Sequence, residues 1–301
     1  MDRFSCRLCP RQCGVIRTPE TGGGACGMPA LPTAARAALH TGEEPCISGT
    51  RGSGTVFFSG CPLRCVFCQN RRISHERFGE TVTVERLADI FRELEACGAH
   101  NINLVSPTPF VPVILEALDR YRPAVPIVYN TSGYECVDTL RQLEGAVDVY
   151  LPDCKYADAA LGKRLSGVLD YPQRAQEAIC EMARQTGPMQ LDADGIAVRG
   201  TLVRHLVLPG HTNDSLAVLD WLAASLPAGV WVSLLFQYTP LAPDGYPELN
   251  RRLTRRECRK VWEHLLALGL TDGYVQDRAS ADAAYIPAFD LTGIRPDTGE
   301  N

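Results

Sequence analysis

The chain of 301 residues contains no apolar run long enough to cross a bilayer, which takes about 18 consecutive apolar residues or more. Its longest such run, Val230 to Phe236, is broken by a serine and has the length of a buried strand. The opening residues, Met1-Asp2-Arg3-Phe4-Ser5-Cys6, lack the apolar stretch of a secretory signal. A cytoplasmic setting is therefore expected. Positive charge is also scarce: 30 Lys and Arg against 35 Asp and Glu leave a net charge of -5. That balance argues against a protein built to coat nucleic acid or an anionic membrane.

Cysteine is what the chain has in excess. Thiols stay reduced in the cytosol, so 13 cysteines point to metal binding more than to disulfides. A hydrophobic fraction of 45% and a charged fraction of 22% are those of a globular protein with a sizeable core.

Three regions follow from composition. Residues 1–53 are irregular, rich in Gly, Pro and Cys, with little periodicity beyond Ala34 to His40. Such a segment needs a metal or a neighbouring domain to hold it. Residues 54–271 alternate short apolar runs with amphipathic stretches. Strands are predicted at Thr55–Ser59, Asn101–Val105, Pro126–Asn130, Val147–Leu151, Thr201–Leu208 and Val230–Phe236. Helices are predicted at Thr83–Cys97, Val111–Tyr121, Cys136–Leu143, Tyr171–Gln185, Ser215–Ala224 and Arg255–Leu268. Alternation of this kind implies parallel βαβ units. Six units fall short of a complete eight-unit barrel, which takes about 250 residues, so a partial (β/α)6 barrel is expected, with a doubly wound sheet as the alternative. Asp192-Ala193-Asp194-Gly195 marks a small hairpin. Residues 272–301 form a C-terminal extension: Asp272 to Pro296 is a candidate lid, and Thr292 to Asn301 a frayed tail.

Polar and turn residues gather just after the strands, as in Ser106-Pro107-Thr108-Pro109, Asn130-Thr131-Ser132-Gly133 and Pro152-Asp153-Cys154-Lys155. In a parallel β/α architecture these lie at the carboxyl edge of the sheet, where active sites are built. His211 and Tyr238 share that edge and are candidates to face substrate. His205, within a strand, reads as a core histidine.

Cys61, Cys65 and Cys68 follow the first strand in a C-x3-C-x2-C arrangement. Three thiolates can wrap one corner of a cubane cluster and leave one iron without a protein ligand. An open position distinguishes a reactive metal centre from a structural one. Zinc or inert thiols are the alternative.

This triad after the first of six β/α units resembles the defining motif of radical S-adenosylmethionine (SAM) enzymes. The resemblance implies a [4Fe-4S] cluster whose open iron chelates SAM and whose electron cleaves it to a 5′-deoxyadenosyl radical. It implies Phe67 as the aromatic packed on adenine. Leu151 to Lys155 and Val203 to Gly210 are similar to pyruvate formate-lyase activating enzymes. Gly49 to Asn70, Asn101 to Val105, Val128 to Tyr134 and Tyr274 to Arg278 are similar to their PflX-type homologues. Carried over by position, Asn130, Thr131 and Asp153 would hold SAM and a monovalent cation, and Lys155 and Arg204 would meet the cofactor carboxylate. The Gly-Gly-Glu-like stretch of the family is replaced by Ser106-Pro107-Thr108-Pro109, so Ser106 and Thr108 are the candidates to accept from the cofactor amine. The implied partners are a low-potential donor such as flavodoxin or ferredoxin and a substrate that is either a glycyl residue of a protein or a small molecule or peptide. A non-catalytic iron–sulfur or zinc protein is the reading from another class.

Cys6-x2-Cys9-x3-Cys13-x12-Cys26 supplies four further thiols, enough for zinc or a closed iron–sulfur cluster. The remaining cysteines, Cys46, Cys97, Cys136, Cys154, Cys180 and Cys258, are expected to be mostly small buried hydrophobes.

Overall fold

The computed structural model describes residues 3–276 and 287–296. Its frame is one mixed sheet. An antiparallel strand, β1 (Thr33–His40), precedes seven parallel strands: β2 (Ser53–Phe58), β3 (Ile102–Val105), β4 (Ile127–Thr131), β5 (Val149–Pro152), β6 (Ala197–Leu206), β7 (Trp231–Leu235) and β8 (Gly273–Gln276). They lie side by side in chain order. A doubly wound sheet reverses its order at a switch point, so this monotonic winding is that of a barrel. Among the described residues the first and last strands do not pair, and the sheet stays open.

Helices cover the outer face: α1 (Val84–Ala96), α2 (Val111–Arg120), α3 (Val137–Gln142), α4 (Ala159–Ser166), α5 (Tyr171–Thr186), α6 (Thr212–Ser225) and α7 (Arg255–Ala267). In α1 the buried Leu87, Ile90, Phe91 and Leu94 recur at helical spacing, and the Thr83 hydroxyl caps the first turn by accepting from the Arg86 N–H at 3.2 Å. That stripe belongs to one buried cluster with the outward strand residues Val56, Leu104, Tyr129 and Tyr150. The hairpin around Asp192 forms as expected, with Gln190–Leu191 paired against β6.

Alternation sends the other strand residues inward. There the barrel is filled partly by a plug rather than by strand side chains alone. Between β1 and β2 the chain dips inside as the one-turn helix Pro45–Ser48, burying Cys46, Ile47 and Ser48. Cys46 and Ile47 pack against Val128, Val149, Leu151 and Leu202, and the Ile47 carbonyl accepts from Asn101 Nδ2 at 2.7 Å.

Three expectations are corrected. The irregular N-terminal segment ends near residue 32, because Thr33–His40 pairs along β2 from Ala34↔Phe58 to His40↔Ser53. Gly273–Gln276 belongs to the sheet, through Val232↔Gly273 and the three pairs that follow. Residues 287–296 are docked as a strap, so the tail is not frayed from Thr292 to Pro296, and residues 297–301 lie outside the described residues. Leu291 N–H donates to the Ala35 carbonyl and Ala37 N–H to the Thr292 carbonyl, while Phe289 packs edge-on to Phe57 at 5.6 Å. Of the lid candidate, Tyr285 and Ile286 lie outside the described residues, as does the stretch 277–284.

Two glycines fix the strand-end loops. Gly60, at φ 80°, leaves room for Met28, whose Cγ would stand 2.2 Å from an added Cβ. Gly133, at φ 77°, lies against the Asp153 carbonyl, 2.1 Å from where a Cβ would be. Both the left-handed backbone and the space exclude a side chain at Gly133. Gly133→Ala is expected to destabilise the protein by about 2 kcal/mol or more, measured by denaturant unfolding against wild type.

Candidate active site

The triad loop leaves β2 through Ser59 and Gly60 and is pinned at several points. Gly60 N–H donates to the Ile73 carbonyl at 2.9 Å, and Val66 N–H to the Leu165 carbonyl at 2.9 Å. From the N-terminal segment, Arg11 Nε donates to the Pro62 carbonyl at 2.9 Å. The sulfurs are held too: Ser166 Oγ donates to Cys65 Sγ at 3.0 Å, and Cys68 Sγ lies 3.2 Å from Ser74 Oγ. Phe67 is buried and meets the ring of Tyr238 at 6.2 Å.

All three thiols line one cavity of about 270 Å³ at the carboxyl edge of the strands. Facing them is a chain of charges. Arg204, projecting inward from β6, uses all three nitrogens: Nε donates to Asp153 Oδ1 at 3.1 Å, Nη1 to Glu43 Oε2 at 3.1 Å and Nη2 to Asn130 Oδ1 at 2.6 Å. Lys155 Nζ donates to the other Asp153 oxygen at 2.5 Å. Asn130 Nδ2 returns to Glu43 Oε1 at 3.0 Å. Burial alone would raise the Asp153 pKa, but Lys155 and Arg204 outweigh it and hold the carboxyl below its ordinary value. Burial would likewise lower Lys155, and Asp153 overrides it so that the ammonium is kept charged. Tyr171 fixes this pair from behind: its hydroxyl lies 2.8 Å from the Ser132 carbonyl and 2.9 Å from the Asp153 carbonyl, and accepts from Lys155 N–H at 3.0 Å.

The thiols answer to the same electrostatics. Burial, with Cys65 and Cys68 beside it, pushes Cys61 well up, and burial pushes Cys65 up to about 11 despite Lys155 nearby. Thiols so placed stay protonated until a metal displaces the protons. Three soft donors on one wall and a charged, hydrogen-bonding set on the other fit a cubane cluster with a zwitterionic ligand. Among the described residues no three His, Cys, Asp or Glu side chains converge tightly enough to hold a lone metal ion; a cubane spreads its ligand sulfurs further apart than a lone ion does.

Of the cofactor candidates, Phe67, Ser106, Asn130, Thr131, Asp153, Lys155 and Arg204 line the cavity with the triad, and Thr108 does not. Ser106 turns the chain at φ 58°, a left-handed conformation that costs a non-glycine residue about 1–2 kcal/mol. Thr108 is turned away: its hydroxyl donates to Glu135 Oε1 at 2.5 Å, an oxygen that Thr131 also reaches. Tyr238 is buried, its hydroxyl donating to the Leu249 carbonyl at 2.9 Å, so it packs rather than faces substrate. His211 lies 3.4 Å from Glu248, away from the cavity lining. His205 is buried and bonded through Nδ1 to the Cys154 carbonyl, but its Nε2 has no partner, and burial pushes its pKa down to about 4. Cys154 packs in the core as expected, whereas Cys97 and Cys180 are exposed rather than buried. The four N-terminal cysteines lie outside the cavity lining.

Sequence reasoning missed Glu43, Glu44 and Glu135. Glu43 and Glu44 begin the plug. Glu44 is buried, and burial raises its pKa with Arg204 opposing. No periodicity marks them, and only the acidic pair before Pro45 sets the place apart.

The sequence pattern described as the Radical SAM superfamily matches residues 55–222, more than half of the chain. An uncharacterized protein of Methanocaldococcus jannaschii is 32% identical over 269 residues, covering 86% of this chain and 73% of its own. Among solved structures, Streptococcus suis SuiB is similar at 9% identity and a TM-score of 0.49, covering 82% of this chain and 50% of that one. A domain of a pyruvate-formate lyase-activating enzyme from Bacteroides vulgatus aligns at 14% identity and a TM-score of 0.37, over 64% of this chain and 91% of that one. The chain thus spans about half the length of SuiB. Among the described residues no helix is long and apolar enough to cross a membrane.

Glu135 generates a pH prediction. It is 1% exposed, one oxygen has no partner, and burial raises its carboxyl to about 7. A group whose pKa is higher folded than unfolded stabilises fully below the unfolded value and loses that contribution as pH rises through the folded one. Stability is therefore expected to fall between about pH 4.5 and 7 by up to about 3 kcal/mol from this group. Glu135→Gln should flatten that part of a stability-against-pH curve, and an unchanged slope counts against the assignment.

Proposed function

Because the chain belongs to the radical SAM superfamily, we propose that it cleaves S-adenosylmethionine reductively and abstracts a hydrogen atom from substrate. The observation that carries this reading is the convergence of three thiols and the Glu43–Arg204–Asp153–Lys155 charge chain on one cavity. Cys61, Cys65 and Cys68 would hold a [4Fe-4S] cluster, which when bound supplies the single electron that breaks a sulfur–carbon bond of SAM. The chain's own residues do the rest. Lys155 and Arg204 present positive charge to the methionine carboxylate, a pairing favoured by charge-assisted hydrogen bonds.

The amine falls to acceptors that replace the missing Gly-Gly-Glu-like stretch. Glu43, carried in by the plug, is the carboxylate best suited to that role, and Ser106 also lines the cavity. Phe67 offers an apolar face for adenine. The monovalent cation that the resemblance implies would lie near Asn130 and Asp153, both of which accept from the Arg204 guanidinium. The apolar wall of Phe57, Leu206 and Leu235 limits water at the reacting end.

The resemblance to activating enzymes favours a glycyl residue of a partner protein as the target, with a flavodoxin or ferredoxin as electron source. Anaerobically reconstituted protein given dithionite and SAM is expected to form 5′-deoxyadenosine. A fully loaded cluster that yields none sinks the reading in favour of a non-catalytic metal protein. Cys65→Ala should abolish the product. Glu43→Gln should keep the cluster but weaken SAM binding about tenfold, the scale of one lost charge-assisted hydrogen bond, measured by equilibrium binding to the loaded protein.

A further inference from the structure

The loop that carries the three thiols has two faces. Cys61, Cys65, Cys68, Asn70 and Ser74 line the cavity, whereas Arg64, Arg71, Arg72 and Arg77 are exposed and do not. Residues 62–79 hold these four arginines against one acid, Glu76, in a chain whose net charge is -5. Lys163, exposed on α4, extends the outer face. Its helix ends at Ser166, whose carbonyl accepts from Arg64 N–H at 3.4 Å and whose hydroxyl donates to Cys65 Sγ.

These cations are poorly neutralised. Among the described residues no carboxylate lies within ion-pair distance of Arg64, Arg72, Arg77 or Lys163. Arg71 stands 3.9 Å from Glu76 with both side chains more than half exposed, a pair worth about 0–1 kcal/mol. Arg164 is the exception, held by Glu248 at 2.6 Å. The rest converge on one place. Burial first, then the charges of Arg71 and Arg64, lowers the pKa of His75, and Arg72 lies over the neighbouring Phe78 ring at 3.8 Å.

The wall behind them is thin. His75 is half-buried, with its Nδ1 2.8 Å from Ser74 Oγ, and that oxygen lies 3.2 Å from Cys68 Sγ. A protein seated on this face is two side chains from a triad sulfur without entering the cavity. A basic face on an acidic chain steers an acidic partner into one orientation.

Resting on the function proposed above, we propose that the outer face of the triad loop, with Arg64, Arg71, Arg72, Arg77 and Lys163, docks an acidic one-electron carrier protein. One electron leaves the carrier and enters the cluster bound by Cys61, Cys65 and Cys68, which passes from the 2+ to the 1+ state. No bond forms or breaks. Small contacts guided by charge are the kind that redox encounters use.

The probe is an acidic flavodoxin, and its binding in the oxidised form to the full, cluster-loaded chain is measured by biolayer interferometry without SAM or reductant. Raising ionic strength from about 0.02 M to about 0.5 M should weaken wild-type binding by about tenfold or more. Arg64→Glu, Arg71→Glu and Lys163→Glu combined should weaken it by a similar factor at low salt. Arg255→Glu, Arg256→Glu and Arg259→Glu change the net charge equally on α7, which packs against α6, and should leave binding close to wild type. Salt-independent binding, wild-type binding by the first triple variant, or an equal loss in the second overturns the docking face. If the first variant does not load its cluster, Lys163→Glu alone decides: weaker binding supports the face and unchanged binding overturns it. Photoreduced 5-deazariboflavin, an uncharged donor, should reduce the cluster of the first variant at the wild-type rate, and slower reduction places the defect in the loop and overturns the face. Failure of the radical reading looks different: no 5′-deoxyadenosine from wild type even with the uncharged donor.

Discussion

One guanidinium ties the active-site wall together. Arg204 reaches from β6 to Asp153 at the end of β5, to Asn130 on β4 and to Glu43 on the plug. With the backbone bridge between Asp153 and Arg204, it joins three strands and the inserted segment where the sheet curls. Remove the charge and Glu43 loses its ion pair while Asp153 is left with Lys155 alone. The same arrangement leaves Lys155 free to be held by Asp153, and so sets the polarity of the whole cavity.

How the barrel interior is filled follows from this. The parallel strands bring alternating polar residues inward, among them Ser53, Thr55, Asn103 and Ser233. Asn103 Nδ2 donates to Glu43 Oε1 at 3.3 Å, a contact an apolar plug could not make, while Asn103 Oδ1 and Ser233 Oγ have no partner. The plug that does enter carries two acids at its head and a carbonyl for Asn101, so its polar end meets the charge chain and its apolar end, Cys46 and Ile47, meets Val128 and Val149.

Much of the fold was legible because buried parallel strands are short apolar runs and the outer helices carry one apolar stripe. What escaped had no such mark. Thr33–His40 is alanine-rich and reads poorly as a strand, yet edge pairing to β2 makes it one. Ala159–Ser166 spans two turns, and β8 has four residues. The triad and the strand-end residues that line the cavity were marked in the sequence by spacing and position. Glu43 was not, because its partners Asn103, Asn130 and Arg204 lie 60, 87 and 161 positions away. Thr108 failed in the opposite way: it sits at the right strand end, but the buried Glu135 draws its hydroxyl inward.

The account depends on the triad's cluster keeping one iron open to SAM. Electron paramagnetic resonance of the dithionite-reduced, cluster-loaded protein, recorded with and without SAM, tests that most directly. A change in the cluster signal on adding SAM, absent in Arg204→Met, is the expected result. A cluster signal indifferent to SAM, or zinc in place of iron at Cys61, Cys65 and Cys68, would contradict it.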